Sequence, residues 1–248
     1  MLQPSVKRAL VLALMGLVLS LPACGKKAPL RLSDDRTAEQ APALKARVRE
    51  SRVTLDFRVP AHRVFPEREE PWVLARILRQ ATPSSELIEA GAILEAGGFA
   101  FNSPLTWSDQ DLPPKSSFIY RVEFRDAVRR RRAISEPLSV SWTQVPAAPQ
   151  NLTAEGHLRS IVLTWAAPAG ADIGTPCRIY RRELSQALFE PAAPEFLSTG
   201  SYIDSRIETG RDYCYVVRAV IIGKNLEIEG PASPESCSRS AAEESPAP

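Results

Sequence analysis

The sequence of 248 residues predicts an all-β protein built from two consecutive antiparallel β-sandwiches. Short segments alternate apolar and polar residues with a period of two, which is the pattern of half-buried strands. No long stretch repeats apolar residues at helical spacing, and the 22 prolines favour strands and loops over helices. The same pattern occurs in both halves of the chain, and each half has about a hundred residues, the usual size of one sandwich domain.

The internal repeat consists of two matched blocks in each half. Val53–Pro60 matches Ile161–Pro168 at an offset of 108 residues, and Phe118–Phe124 matches Tyr213–Ala219 at an offset of 95. The first half therefore has thirteen more residues between its blocks, and insertions of this kind belong in loops. In both halves an aspartate lies nine residues before the aromatic residue that opens the second block. These features predict the same strand order in the two halves.

The second half resembles a fibronectin type III domain over nearly its whole length. Trp165 stands where that family has the core tryptophan of its second strand, and Tyr213 stands where it has the tyrosine of the turn before the sixth strand. Cys177 departs from the pattern, because the third strand usually carries a core tyrosine near this position. The first half is a more distant match, with Phe57 in place of the tryptophan and Phe118 in place of the corner tyrosine.

The resemblance implies two domains and their boundaries. Residues 43–143 are expected to form a first fibronectin type III-like domain, whose third strand is Val73–Arg79, and residues 146–238 a second one. The join, Gln144–Pro149, holds two prolines and favours a semi-rigid connection over a flexible one. Residues 239–248 are expected to be a disordered acidic tail.

The first twenty-three residues have the pattern of a cleavable signal peptide. A short basic region precedes Ala9–Leu21, which is almost purely apolar but shorter than the about 20 residues that a spanning helix needs. Cys24 directly follows Leu-Pro-Ala, which resembles the lipobox of bacterial lipoproteins, where the thiol is diacylated and the chain is cut just before it. The resemblance implies a lipidated Cys24 and a flexible tether at residues 24–42. The alternative is an ordinary signal peptide followed by a chance cysteine.

The residues after Cys24 bear on destination. Gly25, rather than aspartate, favours sorting to the outer membrane, either at its periplasmic face or at the cell surface. The segment C-G-K-K-A-P-L, Cys24–Leu30, resembles the pattern C-G-x-K-G-P-L of small lipoproteins that assist the lipopolysaccharide translocon. Ala28 stands where those lipoproteins have glycine. A basic, proline-containing tether beside the headgroups is the simpler interpretation of this segment.

Charge and residue content argue against several function classes. The chain has 31 basic and 29 acidic residues, so its formal charge of +2 indicates neither a nucleic-acid partner nor an acidic substrate. Both histidines, His62 and His157, fall in predicted loops without an adjacent acid and serine. There is no C-x-x-C pair and no histidine cluster. The sequence therefore predicts a protein that is not an enzyme and that holds no metal or cofactor.

Three cysteines remain after Cys24, in a compartment that export would make oxidising. If the last two strands form a hairpin with its tip at Asn225 and Leu226, Cys214 faces Cys237 on the adjacent strand, which predicts a disulfide. Cys177 lies at an inward position and is then expected to be a free, buried side chain. The rival pairing joins Cys177 to Cys214, because the third and sixth strands also adjoin in this fold.

The one unusual surface feature of the sequence is a run of four arginines, Arg129, Arg130, Arg131 and Arg132, with Arg125 just before it. The run is expected in the turn between the last two strands of the first domain, where fibronectin type III domains often carry binding residues. Arginines bind phosphate and carboxylate groups through paired hydrogen bonds. Lipopolysaccharide phosphates, acidic polysaccharides and acidic protein loops are therefore the expected partners, and a solvated turn is the alternative.

Together these expectations describe a non-enzymatic, membrane-anchored lipoprotein adaptor that presents two β-sandwich domains to envelope proteins or glycans. An envelope-assembly factor that helps lipopolysaccharide export through Cys24–Leu30 is the first alternative. An accessory subunit of an enzyme is the second alternative. The fold alone does not distinguish among these functions.

Overall fold

The structure, a computed structural model, describes residues 42–60, 71–127, 132–171 and 174–241. These residues form sixteen β-strands and no helix. The all-β fold class predicted from the alternation of apolar and polar residues is therefore confirmed.

The first half of the chain contributes eight strands. They are β1 (Lys45–Arg49), β2 (Arg52–Arg58), β3 (Trp72–Gln80), β4 (Ile88–Leu94), β5 (Pro104–Asp109), β6 (Ser117–Asp126), β7 (Arg132–Ile134) and β8 (Leu138–Ser141). The third of these matches the predicted strand Val73–Arg79, with one more residue at each end.

The second half repeats the series. Its strands are β9 (Gln150–His157), β10 (Ser160–Ala166), β11 (Cys177–Glu183), β12 (Glu190–Pro191), β13 (Ser201–Asp204), β14 (Asp212–Ile222), β15 (Leu226–Ala232) and β16 (Ser236–Arg239). Ala241 then forms a bridge with Leu158, so the ordered chain extends three residues past the expected boundary at Ser238. Residues 242–248, most of the expected tail, lie outside the described residues.

Each half is a sandwich of two layers. In the first half, β1, β2 and β5 face a sheet with the order β4-β3-β6-β7, in which β8 also pairs with β6. In the second half, a sheet with the order β13-β10-β9 faces β12, β11, β14 and β15, and β16 also pairs with β14. The two halves thus have the same strand order, as their matched blocks predict, and both are fibronectin type III-like sandwiches.

The two sandwiches share one sheet. β1 pairs in parallel with β15, with Ala46 opposite Leu226 and Val48 opposite Ile228. The backbone N–H of Ala46 also donates to the carbonyl of Asn225 at 2.9 Å. This pairing produces an eight-stranded sheet that runs from one half into the other. The connection between the halves is therefore hydrogen-bonded backbone as well as the proline-containing join.

Each half has its own apolar core, and the core of the first half also contains a residue of the second half. Phe57 and Trp72 pack edge-to-face against Phe124 in the first core, with ring centroids 6.0 and 6.4 Å away. Ile228 of β15 is buried in this same core. In the second core, Trp165 of β10 packs with the inward residues of β11 and β14. Trp165 and Cys177, which the sequence places in the core and at an inward position, both belong to this core.

A buried polar triad recurs in the first and second halves. In the first, the Tyr120 hydroxyl donates to the Asp109 carboxylate at 2.8 Å, and Arg79 donates to the same oxygen at 2.6 Å. The corresponding residues of the second half are Asp204, Tyr215 and Arg181: the hydroxyl lies 3.1 Å and the guanidinium 2.8 Å from the carboxylate. Burial of a carboxylate requires such partners. The role of the aspartate before each second block of the repeat is therefore to bind the buried tyrosine and arginine of the triad.

Candidate functional site: a cleft between the two halves

A cleft of about 500 Å³ opens where the two sandwiches meet. Three of its walls are the β1–β2 turn, the two residues after β5 and the loop after β11, and Arg218 of β14 completes it. Its lining is mainly polar. The lining residues are Arg49, Glu50, Ser51, Arg52, Gln110, Asp111, Ala187, Leu188, Phe189 and Arg218.

The walls from the first half are held in a compact shape by their backbone. Glu50 and Asp111 both have a φ of 56°, the left-handed conformation that tight turns use. The N–H of Leu112 donates to the carbonyl of Ser51 at 3.0 Å, which ties the segment after β5 to the β1–β2 turn. The side chains on these turns therefore project from a fixed backbone.

One ion pair spans the cleft between the halves. Nη2 of Arg218 lies 3.0 Å from Oε1 of Glu50, and Nη1 of Arg218 donates to the carbonyl of Gly230 at 2.9 Å. Glu50 belongs to the first sandwich and Arg218 to the second. Because the glutamate side chain is largely exposed, the pair contributes little stability of its own. Its effect is to set the position of Arg218 at the base of the cleft.

Two further arginines of the cleft have no carboxylate partner among the residues that the structure describes. Arg49 lies over the ring of Tyr180, with its guanidinium carbon 5.7 Å from the ring centroid. Arg52 reaches only the amide oxygen of Gln110, at 3.5 Å. The cleft thus presents two unneutralised guanidinium groups, which bind carboxylate or phosphate groups through paired hydrogen bonds.

A buried network beneath Arg49 fixes the second-half side of the cleft. The Tyr180 hydroxyl donates to both carboxylate oxygens of Glu229, at 2.7 and 2.8 Å, and Arg178 pairs with Glu229 and with Glu227 at 2.8 and 3.0 Å. Burial and the charge of Glu229 raise the pKa of Tyr180 above its ordinary value. Burial alone would lower the pKa of Arg178, but the charge of Glu229 raises it. Tyr180 therefore stays neutral and gives Arg49 an uncharged aromatic surface.

The loop after β11 adds an apolar group to the cleft, whose lining carries three arginines against two carboxylates, Glu50 and Asp111. Leu188 is 80 % exposed, the highest value among the large hydrophobic residues described. Phe189, the next residue, is partly buried, with the guanidinium carbon of Arg182 5.3 Å from its ring centroid. The lining residues that the structure describes include no histidine, cysteine or paired acid and nucleophile. The arrangement is suited to binding an anionic group beside an apolar one.

The arginine run named from the sequence is only partly covered by the structure. Arg129, Arg130 and Arg131 lie outside the described residues. Arg132 is the first residue of β7, opposite Arg125 of β6, so its backbone belongs to a strand rather than to the turn. Nε of Arg125 donates to the buried carboxylate of Glu123. Arg125 is therefore already paired within the sandwich.

Cys214 and Cys237 are joined by a disulfide and lie directly opposite each other on β14 and β16. The hairpin that leads to this pairing differs from the expected one. Gly223 donates to the carbonyl of Leu226, so the turn centres one residue earlier than predicted, and Ile221 faces Ile228. Irregularities between β14 and the last two strands then shift the register by two residues before the cysteines.

Cys177 is a free thiol in the core of the second half. It lies opposite Ala219, whereas Cys214 lies opposite Arg182 on the other face of the same pair of strands. The rival pairing of Cys177 with Cys214 therefore has no geometric basis. Burial raises the pKa of the Cys177 thiol, so this residue is unreactive while the domain is folded. Glu235 lies near the two bonded sulfurs, but the disulfide leaves no thiolate there for a metal ion.

The segment expected to carry the signal peptide, the lipid at Cys24 and most of the tether, residues 1–41, lies outside the described residues. Among the residues that are described, no helix has the length and apolar character needed to cross a bilayer.

The sequence does not predict the cleft, because its lining comes from four segments that lie far apart along the chain. Glu50 and Arg218, which pair across it, are 168 residues apart. The local signal was the exposed charged turn R-E-S-R at Arg49–Arg52, which by itself is typical of any solvated hairpin. No single motif therefore marks the site.

No protein-family model and no curated protein matches the chain. Among solved structures, the FN1–FN3 domains of chicken CNTN1 are similar over 83% of this chain and 68% of that chain, with 11% identity and a TM-score of 0.38. An Fn3-like protein from Clostridium thermocellum is similar over 41% of this chain and 100% of its own, with 26% identity and a TM-score of 0.31. Domains A168–A170 of titin are similar over 77% of this chain and 59% of that chain, with 15% identity and a TM-score of 0.34. The fold assignment rests on the strand order and pairing of this chain.

Proposed function

We propose that this chain is a non-enzymatic adaptor, held on the outer membrane by a lipid at Cys24, that binds an envelope protein or an anionic glycan. The observation that carries the proposal is the cationic cleft between two sandwiches that share one sheet. A cleft whose walls come from both halves keeps its shape only if the halves are fixed relative to each other. The parallel pairing of β1 with β15 fixes them.

The membrane anchor in this proposal is supported by the sequence pattern that ends at Cys24. Two or more acyl chains hold a protein stably on a membrane, whereas one chain gives marginal binding. Gly25 supports an outer-membrane destination. The anchor would keep the cleft close to the envelope components that it binds.

The binding surface in this proposal has two candidate parts. Arg49 and Arg52 of the cleft belong to it because they have no carboxylate partner among the described residues. The run Arg129–Arg132 is retained as a second anion-binding segment, on its sequence alone. The cleft is favoured because an apolar residue, Leu188, lies beside its arginines.

The decisive experiment compares two arginine variants in native membranes. If the partner is a protein, a photo-crosslinking residue in place of Leu188 should capture it. If the partner is an anionic glycan, purified lipopolysaccharide or acidic glycan should bind to the protein, and this binding should weaken as salt rises because salt screens the charges. Arg49→Ser combined with Arg52→Ser should abolish either signal. The matched control is Arg47→Ser. Arg47 lies on the same strand and face as Arg49, but it already pairs with Asp56 at 3.1 Å. Equal signals from the parent and the double variant would contradict the proposal.

An assembly factor for lipopolysaccharide export is the second candidate, and the segment Cys24–Leu30 is the observation that favours it. Scrambling Gly25–Leu30 while Cys24 is kept would separate the two functions. The adaptor should keep its binding in that variant. An assembly factor acting through the segment should lose its effect on lipopolysaccharide export.

A further inference from the structure

One edge of the shared sheet lies beside the point where the described chain begins. β1 begins at Lys45, and β15 begins next to it because the two pair in parallel. β14 and β2 end at this edge and β5 begins there, since each is antiparallel to its neighbour. We call this edge the tether end, and it consists of Lys45, Arg58, residues 94–103 and residues 221–226. The cleft described above lies at the opposite ends of β1, β2 and β5.

Large apolar side chains are exposed at the tether end. Leu94 is 72 % exposed and Phe101 is 65 % exposed, on the segment between β4 and β5. Ile221 and Ile222, before the β14–β15 turn, are 42 % and 49 % exposed. Single exposed apolar residues are normal on any surface. Four of them lie at this end of the sheet, on two segments that β15, β1 and β2 separate, so that one broad surface such as a membrane is what both segments would contact.

Positive charges accompany these apolar residues. Lys45, Arg58 and Lys224 are all exposed, and none of them forms an ion pair with a described residue. Among the described residues, Nη1 of Arg58 donates to the backbone carbonyl of Asn102, at 2.8 Å, and to no carboxylate. Glu95 is an exposed acidic residue in the same region. The described residues of the tether end are therefore cationic and apolar at once.

We propose that the tether end rests on the lipid surface that carries the anchor, with Leu94, Phe101 and Ile222 at the headgroup level and the cations against anionic headgroups. Apolar side chains among cations are the combination that holds proteins in the interface plane. The inference rests on the proposed lipid at Cys24. It directs the cleft away from the membrane, toward the components that the cleft is proposed to bind.

The lipid surface is favoured over other occupants because the tether holds this end near it. Seventeen residues separate Cys24 from Pro42, and at about 3.3–3.6 Å per residue they reach at most about 60 Å. The effective concentration of lipid surface at the tether end is therefore high. Without docking, a tether of this length would let the body take any orientation. Docking removes that freedom.

A pair of nitroxide labels tests the proposal on the lipidated full chain in vesicles of phosphatidylethanolamine and phosphatidylglycerol. One label is placed by Ala100→Cys at the tether end, and its control by Ala187→Cys at the cleft, where the replaced alanine is also exposed. The buried thiol of Cys177 does not compete for the reagent. Collision rates with oxygen, which concentrates in the bilayer, and with a water-soluble nickel chelate report where each label lies.

The ratio of oxygen to nickel collisions should rise severalfold at position 100 on vesicle binding and stay unchanged at position 187. Vesicles of phosphatidylcholine alone, which carry no net charge, should give a smaller rise at position 100. Leu94→Ser combined with Phe101→Ser should remove the rise, while Leu184→Ser, at a leucine that is 55 % exposed and lies outside the cleft and the tether end, should keep it.

Two failures are distinguishable in this experiment. Absence of acyl labelling and of flotation with vesicles would overturn the proposed anchor. Normal flotation with equal ratios at positions 100 and 187 would overturn docking and leave the anchor intact. A fall of both collision rates at position 100, in place of a rise in their ratio, would show a protein contact such as a second copy of the chain, and would also overturn docking.

Discussion

Asp109 and Asp204 occupy the same place in the two halves, and each binds a buried tyrosine hydroxyl and an arginine. Each carboxylate is taken out of water and is compensated by these partners. Burial and the neighbouring aspartate raise the pKa of Tyr120 and of Tyr215 far above the ordinary value of 10.0. The phenols therefore stay protonated in the folded protein at any pH that the fold tolerates.

This raised pKa predicts a loss of stability at alkaline pH. Below pH about 10 the tyrosines are protonated in both states and their contribution to the free energy of unfolding is constant. Above pH about 10 the unfolded chain releases the protons first, so stability falls by up to about 1.4 kcal/mol per pH unit for each such tyrosine. Urea unfolding between pH 8 and 11 should show a shallower decline for Tyr215→Phe than for the parent. Equal declines of the free energy of unfolding in the parent and in Tyr215→Phe would contradict the raised pKa of Tyr215.

The disulfide follows from the sequence through a hairpin that is only partly the one in the structure. Cys214 pairs with Cys237 as the alternation of the two strands predicts. The simple hairpin behind that prediction is wrong at its tip, where Ile221 faces Ile228. Ser233 explains part of the difference: its N–H donates to the carbonyl of Val217, and its hydroxyl accepts from the N–H of Val217. A side chain that bonds the neighbouring strand lets the strand break without leaving a buried group unpaired.

Among the elements, β10 carries the most informative core residue. Trp165 points inward between β11 and β14, while Thr164 points outward and bonds Thr153. Trp165→Ala should lower the free energy of unfolding by about 3–5 kcal/mol through the cavity that it leaves. This is a large part of the about 5–15 kcal/mol that stabilises a typical domain. Denaturant unfolding measures the change, with Thr164→Ala, expected to cost about 1 kcal/mol or less, as the control. Similar costs for both would place Trp165 outside the core.

Strand positions were predictable because period-two alternation survives in every strand with one buried face. β1, β2 and β10 follow it closely, whereas the long central strands β3, β6 and β14 bury consecutive residues. The last strand of each half was not predicted to divide in two. Ser135 and Ser233 lie at these divisions, and each bonds a valine of the preceding long strand. Such irregularities depend on one side-chain hydrogen bond, which alternation does not encode.

On the scale of the whole molecule, the shared sheet couples the stability of the two halves. Ile228 belongs by sequence to the second half but is buried in the first core. Ile228→Ala should therefore cost about 2–5 kcal/mol and should lower the protection of β6 and β14 from hydrogen exchange together. Ile203→Ala, at a residue that is 62 % exposed, should change the free energy of unfolding by no more than about 0.5 kcal/mol. Loss of protection in only one half would show that the halves unfold independently.

The sequence predicts the two sandwiches but not their union, and for the same reason it does not predict the cleft. The pairing of β1 with β15 joins residues 180 positions apart, without a repeated motif or a charge pattern that would identify the partners. Arg47 and Arg49 alternate outward like any solvated strand residues. Only the placement of the second half beside β1 turns part of this surface into a cleft wall. Local patterns determine strands, whereas contacts between domains depend on surface complementarity that no short segment contains.

The pairing of the first strand with one of the last has a consequence for how the molecule is made. β1 precedes its neighbour β15 by about 180 residues in the chain. Until β15 pairs with it, the first sandwich lacks Ile228 and keeps one edge of β1 unpaired, and an open strand edge is a template for association with other chains. The nascent protein therefore passes through a period in which a chaperone that covers this edge would be most useful.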